Sequence, residues 1–431
     1  MPHRNLVVIL TMIVLSLACA SKVSRHGRYL VFAMDQIENH GLEVVGEAEL
    51  FEGALEGMTA KLDEYSTYIS PKAMKEFQEI IDREFGGVGI EIRLDKETKE
   101  LTVASPLVGT PAYQAGIVAD DRIQRIDGES TQGLSLQDAS ERLRGEPGEP
   151  VTLSILHHGA SEPVDVEIVR AVIRIDTVLG DTRNIDGSWN FFLEGQDGIG
   201  YLRINSFGEQ TEREMRRAVD WLLDRGMQGL IIDVRNDPGG LLIAAIGVCD
   251  MFVASGVIVT TRRRDGAIRQ SYSATDEKTY SGFPVAVLAN QYSASASEIV
   301  AACLQDQAGA CIVGERTFGK GTVQELIDLR GKRGMLKLTT SSYWRPSEKN
   351  IHRGRDAKED DDWGVMPSPG YEVKFSEEEF AEQLHVRFLR DIGRLSDEKD
   401  TPRGEDGELL TPLSADSQLK KAVEYIRQAA G

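Results

Sequence analysis

Cysteine is scarce in this chain: four residues in 431, at Cys19, Cys249, Cys303 and Cys311. That excludes a disulfide-dense scaffold, which packs many cysteines into a short sequence. No C-x-x-C pair and no H-E-x-x-H is present. The seven histidines (His3, His26, His40, His157, His158, His352 and His385) form no cluster with cysteines or carboxylates. A zinc site therefore has no ligand set, and neither a metal nor an organic cofactor is expected. Positive charge is also short. Lys and Arg total 49 against 69 Asp and Glu, a net charge of −20. Phosphate backbones and anionic membranes need a basic footprint, so nucleic acid is excluded as a main partner. No apolar run reaches the roughly 20 residues of a membrane-spanning helix, and no strict repeat is visible. What is present is core material. Hydrophobic residues make up 41% and charged residues 27%, a globular composition rather than a disordered one. At roughly 100–200 residues per unit, the length accommodates two to four domains.

The first apolar run, Leu6 to Ala18, follows His3 and Arg4 and precedes small residues. A basic start, a short apolar stretch and a small-residue cleavage site form the layout of a secretory signal. Ala18-Cys19-Ala20 fits the A-x-A pattern, which makes residues 1–20 a signal peptide and predicts export to the periplasm or cell envelope. A lipidated Cys19 is the alternative, although Ser16 stands where lipoprotein signals usually carry Leu. A buried N-terminal helix is the bland reading. Cys303 and Cys311 are near in sequence, so they form either a disulfide or two buried free thiols.

Periodicity divides the rest. Residues 21–83 space apolar side chains at three and four, as in EAELFEGALEGMTAKLDEY, and read as helical; Tyr65 to Pro71 interrupts, and a second helix runs from Lys72 to Arg83. Residues 84–172 alternate in short stretches (GVGIEIRL, LTVASPL, DRIQRIDG, PVTLSIL, PVDVEIV) between turn signals, with a helix from Ser135 to Leu143. That is a small β-rich domain. Residues 173–375 alternate strands and helices: GIGYLRI, EREMRRAVDWLLDRG, GLIIDV, LLIAAIGVCDMF, VIVTTRRR, PVAVLAN, SEIVAACLQDQ and CIVGE. Such alternation predicts an α/β layered core. Residues 376–431 are charged and helical, and Asp356 to Asp362 (DAKEDDD) reads as an exposed acidic loop. The fold class expected is therefore multidomain α+β.

Four motifs bear on chemistry. Gly314 to Lys320 matches G-x-x-x-x-G-K of a phosphate-binding loop. However, Gly321 replaces the magnesium-binding Ser or Thr. A β-hairpin pattern (GTVQELIDL, GMLKLTTSSYW) then follows instead of a helix, so nucleotide binding is not expected. Ser293-Ala294-Ser295-Ala296-Ser297 lies between strand and helix. A serine there presents an exposed hydroxyl, and helix-start amides can stabilise an oxyanion. No histidine flanks this turn, but a buried lysine with a lowered pKa can act as base. Lys320 lies in the loop Gly319-Lys320-Gly321 entering a strand, where Lys320, Thr322 and Gln324 share one face. Gln324 could then hold the amine. The plain alternatives are a helix cap for the serines and a solvated surface charge for Lys320. Asp233 to Gly240 (DVRNDPGG) joins a strand to an apolar helix, and its paired glycines free the backbone to aim amides; an ordinary βα turn is the commoner use. Phe85-Gly86-Gly87-Val88-Gly89-Ile90 opens the β-rich domain. Such a loop can take a peptide carboxylate while the strand edge pairs with the peptide.

Together these residues resemble the carboxy-terminal processing peptidases, or tail-specific proteases, from about Leu62 to Val373 and again at the final helix. The resemblance rests on LDEYSTYISP, FGGVGIEI, DRIQRIDGE, LRGEPGEPVTLSI, IGYLRINSF, IIDVRNDPGGLL, NQYSASASEIVAACLQD, VGERTFGKGTVQ and TTSSYWRPSEKNIHR. It implies a ClpP/crotonase-like protease core with an inserted PDZ domain over 84–172. The implied nucleophile is Ser295, the base is Lys320, 25 residues on, and the assisting glutamine is Gln324. The implied oxyanion hole uses the amides of Gly240 and Ala296, and Gly87, Val88, Gly89 and Ile90 would bind the substrate carboxylate. Protein or peptide substrates recognised at their C-termini are the partners implied, with an activating adaptor and self-association among the family's options. Tyr292, Ser347-Glu348-Lys349 and the lengthened DAKEDDD loop depart from the family pattern. Two other readings compete: a catalytically inactive PDZ scaffold, and an acyl-CoA enzyme on a similar core, which the acidic charge opposes.

Overall fold

The computed structural model of the chain describes residues 24–95, 97–184, 187–275, 278–331, 333–391 and 411–431. The expected signal segment and Cys19 lie outside the described residues. Among the described residues, the chain separates into two compact units: 24–74 with 324–339, and 75–323 with 340–391 and 411–431.

In the smaller unit, helices Arg25–His40 and Glu47–Thr59 precede the strand Thr67–Ile69, which pairs antiparallel with Met335 to Lys337. Asp63 organises the entry to that strand. It accepts hydrogen bonds from the amides of Tyr65 and Ser66 and from the Ser66 and Thr339 hydroxyls.

In the larger unit, the β-rich segment forms one antiparallel sheet. Its order is Ile90–Leu94, Leu101–Pro106, Arg122–Ile126, Pro150–Leu156, Val164–Val169, with Glu129–Ser130 pairing on Arg122–Ile126. Its core is Val88, Leu101, Val103, Ile117, Ile123, Ile126, Leu153, Ile155 and Ile168, closed by Ala139 and Leu143 of the helix Leu136–Leu143. Ser135 caps that helix reciprocally with Asp138. Ile90–Leu94 is one edge strand of this sheet, beside the helix.

The layered core is a second sheet ordered Val178–Leu179, Ile199–Ile204, Gly229–Asp233, Val285–Ala289, Cys311–Gly314, whose last four strands run parallel. Parallel strands are buried on both faces, and period-two alternation sorts their side chains. Leu202, Ile204, Leu230, Ile232, Val287, Ala289 and Ile312 face helices Thr211–Leu223, Leu242–Asp250 and Ala296–Gln307. Tyr201, Ile231, Ala286, Leu288 and Val313 face the opposite way, against Leu419, Ala422, Val423 and Ile426 of the C-terminal helix Ser417–Ala430. The α/β layering expected from the alternation is thus present. One hairpin escaped the periodicity: Ile268–Ser273, paired with Val257–Arg262. It is mostly exposed and carries no apolar stripe.

The cysteines resolve one open alternative. Cys249, Cys303 and Cys311 are free and buried. Cys303 meets Cys249 across two packed helices, while Cys311 lies on the other face of the sheet. Nearness in sequence did not become nearness in space.

Candidate active site

Parallel strands send their outgoing loops to one edge of the sheet, which is where open α/β folds build sites. Four such loops meet here, after Ile204, Asp233, Ala289 and Gly314.

The loop after Ala289 carries the serines. The Ser293 hydroxyl donates to the Val234 carbonyl at 2.8 Å and accepts from the Asn290 amide at 3.0 Å, which tightens the turn. Ser295 then adopts φ 57° and ψ −110°. A non-glycine residue pays for that conformation, and strained strand-to-helix elbows present nucleophiles this way. The helix Ala296–Gln307 follows at once. The exposed hydroxyl expected from the sequence is not what forms, because Ser295 is only 8% exposed. Neighbouring loops close over it.

The loop after Gly314 is one of those neighbours. Phe318 donates its amide to the Ser293 carbonyl at 3.0 Å. Lys320 is half-buried rather than a free surface charge. The joint between the two loops is Glu298, fully buried on the first turn of the serine helix. One carboxylate oxygen, Oε2, accepts the amides of Ser295 at 2.9 Å and Lys320 at 2.8 Å. The other, Oε1, accepts the Thr317 hydroxyl at 2.5 Å and the Gly319 amide at 2.7 Å. Burial pushes the Glu298 carboxyl up to about 7 against the pull of these donors. The amides of Gly319 and Lys320, within the phosphate-loop pattern, thus face a carboxylate. Sequence reading passed over this residue, although Ser295-x-x-Glu298 is the spacing of a capping box.

Arg316 fastens the same loop to the acidic segment. It donates to the carbonyls of Glu359, Asp361 and Trp363, and its guanidinium lies 3.5 Å over the Trp363 ring. Asp356 and residues 358–362 of that segment are exposed, as expected. Tyr292, one of the departures, stacks on Phe380 of the helix Glu377–Asp391 with ring centroids 5.8 Å apart.

The loop after Asp233 supplies the glycines. A Cβ at Gly239 (φ 96°) would lie 2.9 Å from both the Ser295 Cβ and the Ala296 nitrogen. One at Gly240 (φ 156°) would lie 2.1 Å from the Phe207 carbonyl oxygen. Only glycine allows so close an approach. Phe207 donates to the Gly239 carbonyl at 3.1 Å and accepts from the Leu241 amide at 2.7 Å. Among the described residues, the amides of Gly240 and Ala296 have no hydrogen-bond acceptor. The Ala296 amide is open because the first amides of any helix are.

The strand under this turn is locked by a buried ion network. Arg235 donates to Asp233 at 2.7 Å and to Asp416 at 2.8 Å, and also to the Gln418 side chain. The Tyr201 hydroxyl donates to Asp233. Asp416 in turn caps the C-terminal helix through the Leu419 amide. Removing one partner of such a network leaves a buried charge unpaired, a cost of about 3–5 kcal/mol.

Gln324 belongs to the smaller unit, where its amide donates to the Thr339 hydroxyl at 3.3 Å. At the start of the β-rich sheet, Gly87 pairs opposite Ala171 and Val88 is buried. The Gly89 carbonyl accepts from the Leu107 amide and the Thr110 hydroxyl, and Ile90 begins the edge strand. Among the described residues, no group of three or more His, Cys, Asp or Glu could hold a metal ion.

Residues 198–360 match the family model for peptidase family S41, and residues 102–156 match the PDZ domain model. The carboxy-terminal-processing protease of Bartonella bacilliformis is 34% identical over 410 residues, covering 91% of this chain and 86% of the relative. The carboxyl-terminal-processing protease of Synechocystis sp. is 37% identical over 318 residues, covering 73% and 69%. A solved structure named photosystem II D1 C-terminal processing protease aligns at 29% identity over 80% of this chain and 87% of its own, with a TM-score of 0.45. On the sequence identity to the Bartonella and Synechocystis relatives, which extends over most of both chains, the protein belongs to the carboxy-terminal-processing protease family of peptidase family S41.

Proposed function

We propose that this chain is an exported serine endopeptidase that binds protein C-termini through its PDZ domain and cuts peptide bonds with a Ser295–Lys320 pair assisted by Gln324. The observation that carries the reading is the shared carboxylate oxygen of Glu298, which bonds the backbone of both Ser295 and Lys320. Two residues 25 apart in sequence are thereby held on one anchor.

In this reading Ser295 Oγ attacks the substrate carbonyl while neutral Lys320 Nζ takes the hydroxyl proton. Negative charge on the former carbonyl oxygen is met by the open amides of Gly240 and Ala296. Lys320 then returns its proton to the leaving amine. Water, deprotonated by Lys320, hydrolyses the acyl-enzyme and frees Ser295. The edge strand Ile90–Leu94, preceded by the Gly87-Val88-Gly89 turn, suits addition of a peptide strand with its carboxylate at the turn. The N-terminal segment supports export, with either cleavage after Ala20 or lipidation at Cys19.

The test is cleavage of an unfolded protein by the mature chain beside Ser295→Ala and Lys320→Ala. Both variants are expected to lose at least about 1,000-fold in kcat. Cleavage surviving both would overturn the assignment. Binding of apolar C-terminal peptides without any cleavage by the wild type would favour a scaffold.

A further inference from the structure

Asp237 is a fully buried acid at this site to which the mechanism above assigns no part. It stands in the turn that carries Gly240, yet two of its bonds reach the neighbouring loop. Its backbone carbonyl accepts the Ala294 amide at 3.0 Å and the Ser297 hydroxyl at 3.1 Å. Those residues flank Ser295 and Ala296. Its side-chain Oδ1 accepts the Gly239 amide at 2.8 Å. Among the described residues, its other oxygen, Oδ2, is buried and has no hydrogen-bond partner.

The consequence is geometric. Gly239 has its amide taken by Asp237 and its carbonyl taken by Phe207. The peptide that follows is therefore oriented from both ends, and the Gly240 amide is left as the open donor of the turn. The Ala296 amide is oriented by the neighbouring turn, which hangs on the Asp237 carbonyl. One residue thus connects the two backbone segments whose donors must converge on a single oxygen. Oxyanion donors act through preorganised placement, so an error in their spacing costs rate rather than affinity.

We propose that Asp237 is a positioning residue that sets the spacing of the Gly240 and Ala296 amides. The inference rests on the serine-peptidase reading and deepens it, because it predicts transition-state stabilisation that depends on a side chain touching no substrate. An unpartnered buried carboxylate oxygen costs stability, and the bond that matters is made by the other oxygen. Asparagine keeps an acceptor for the Gly239 amide, whereas alanine does not.

The experiment compares steady-state kinetics of the full mature chain and its Asp237→Ala, Asp237→Asn and Ser297→Ala variants on one peptide, with Ser295→Ala alongside. Asp237→Ala is expected to lower kcat about 30-fold with KM held within about 3-fold, and Asp237→Asn to recover to within about 3-fold of wild type. A merely structural role would lower the melting temperature and the active fraction without that split or that rescue. The proposal is overturned if Asp237→Ala keeps kcat within about 3-fold, or if Asp237→Asn is as impaired as Asp237→Ala. Should Asp237→Ala fail to fold, Ser297→Ala decides, since it removes one bond to the Asp237 carbonyl. A drop of about 3-fold to 5-fold in kcat at constant KM supports the proposal, and an unchanged kcat ends it. Failure of the underlying reading is distinct: it shows as cleavage by Ser295→Ala, whatever Asp237 does.

Discussion

Two buried carboxyls flank the Ser295 turn, and they are built in opposite ways. Glu298, on the side of the Lys320 loop, has both oxygens engaged twice, by three amides and one hydroxyl. Asp237, on the side of the glycine turn, has one oxygen engaged once and the other not at all. Burial raises both to about 7. The difference teaches which chemical property each position needs. Glu298 needs two full acceptors, because four donors converge on it from two loops. Asp237 needs a single acceptor at the right place, and its charge is incidental to the bond it makes.

The sharpest way to break this comparison is to place the isosteric amide at both positions. Glu298→Gln converts one acceptor into a donor facing donors. The Thr317 hydroxyl can turn to accept, but one buried amide stays unpaired, which costs about 1–3 kcal/mol. A fall of about 30-fold in kcat is expected, against the near-neutral Asp237→Asn. Equal effects of the two amides would dissolve the distinction. A smaller effect is expected from Thr317→Val, which removes one donor on the Glu298 oxygen that binds neither Ser295 nor Lys320. About 5-fold in kcat with KM unchanged would place the anchor's weight on Oε2, as drawn; a loss matching Glu298→Gln would shift it to Oε1.

The smallest effect concerns stability. Both carboxyls bind a proton more tightly folded than unfolded, where Asp and Glu sit near 3.8 and 4.5. Their contribution is therefore complete below the unfolded values and is lost as pH rises through about 7. Melting temperature should fall between pH 5.5 and 8.5 by about 2 °C or more from this source. The fall should be absent from a variant carrying both amides. A wild-type slope that the double variant reproduces would assign the effect to other groups.

Much of the architecture is legible in the sequence. The layered core announced itself because its strands are apolar on both faces, and Thr211–Leu223 because its apolar residues recur at helical spacing. The helix expected from Ser135 to Leu143 forms as Leu136–Leu143, with Ser135 as its cap. The elements that were missed lack such patterns. Ile268–Ser273 exposes most of its residues and is held by strand pairing alone. The disulfide alternative for Cys303 and Cys311 rested on closeness along the chain, which the sheet between them annuls.

By itself the sequence determined where the turns fall and which residue types they offer: serines before a helix, a lysine among glycines, paired glycines after a strand. Those are local properties, set by backbone freedom and by periods of 2 and 3.6 residues. It also contained the Ser295-x-x-Glu298 spacing, whose local meaning is a helix cap. Only the tertiary structure decided that the same carboxylate would reach Gly319 and Lys320 in the next loop. Likewise, it alone brought Arg235 to Asp416 across 181 positions and buried Ser295 where an exposed hydroxyl was expected. The reason is that strand order and parallel register choose which loops share an edge. A carboxylate then collects whichever donors that edge delivers, and no local pattern encodes the delivery.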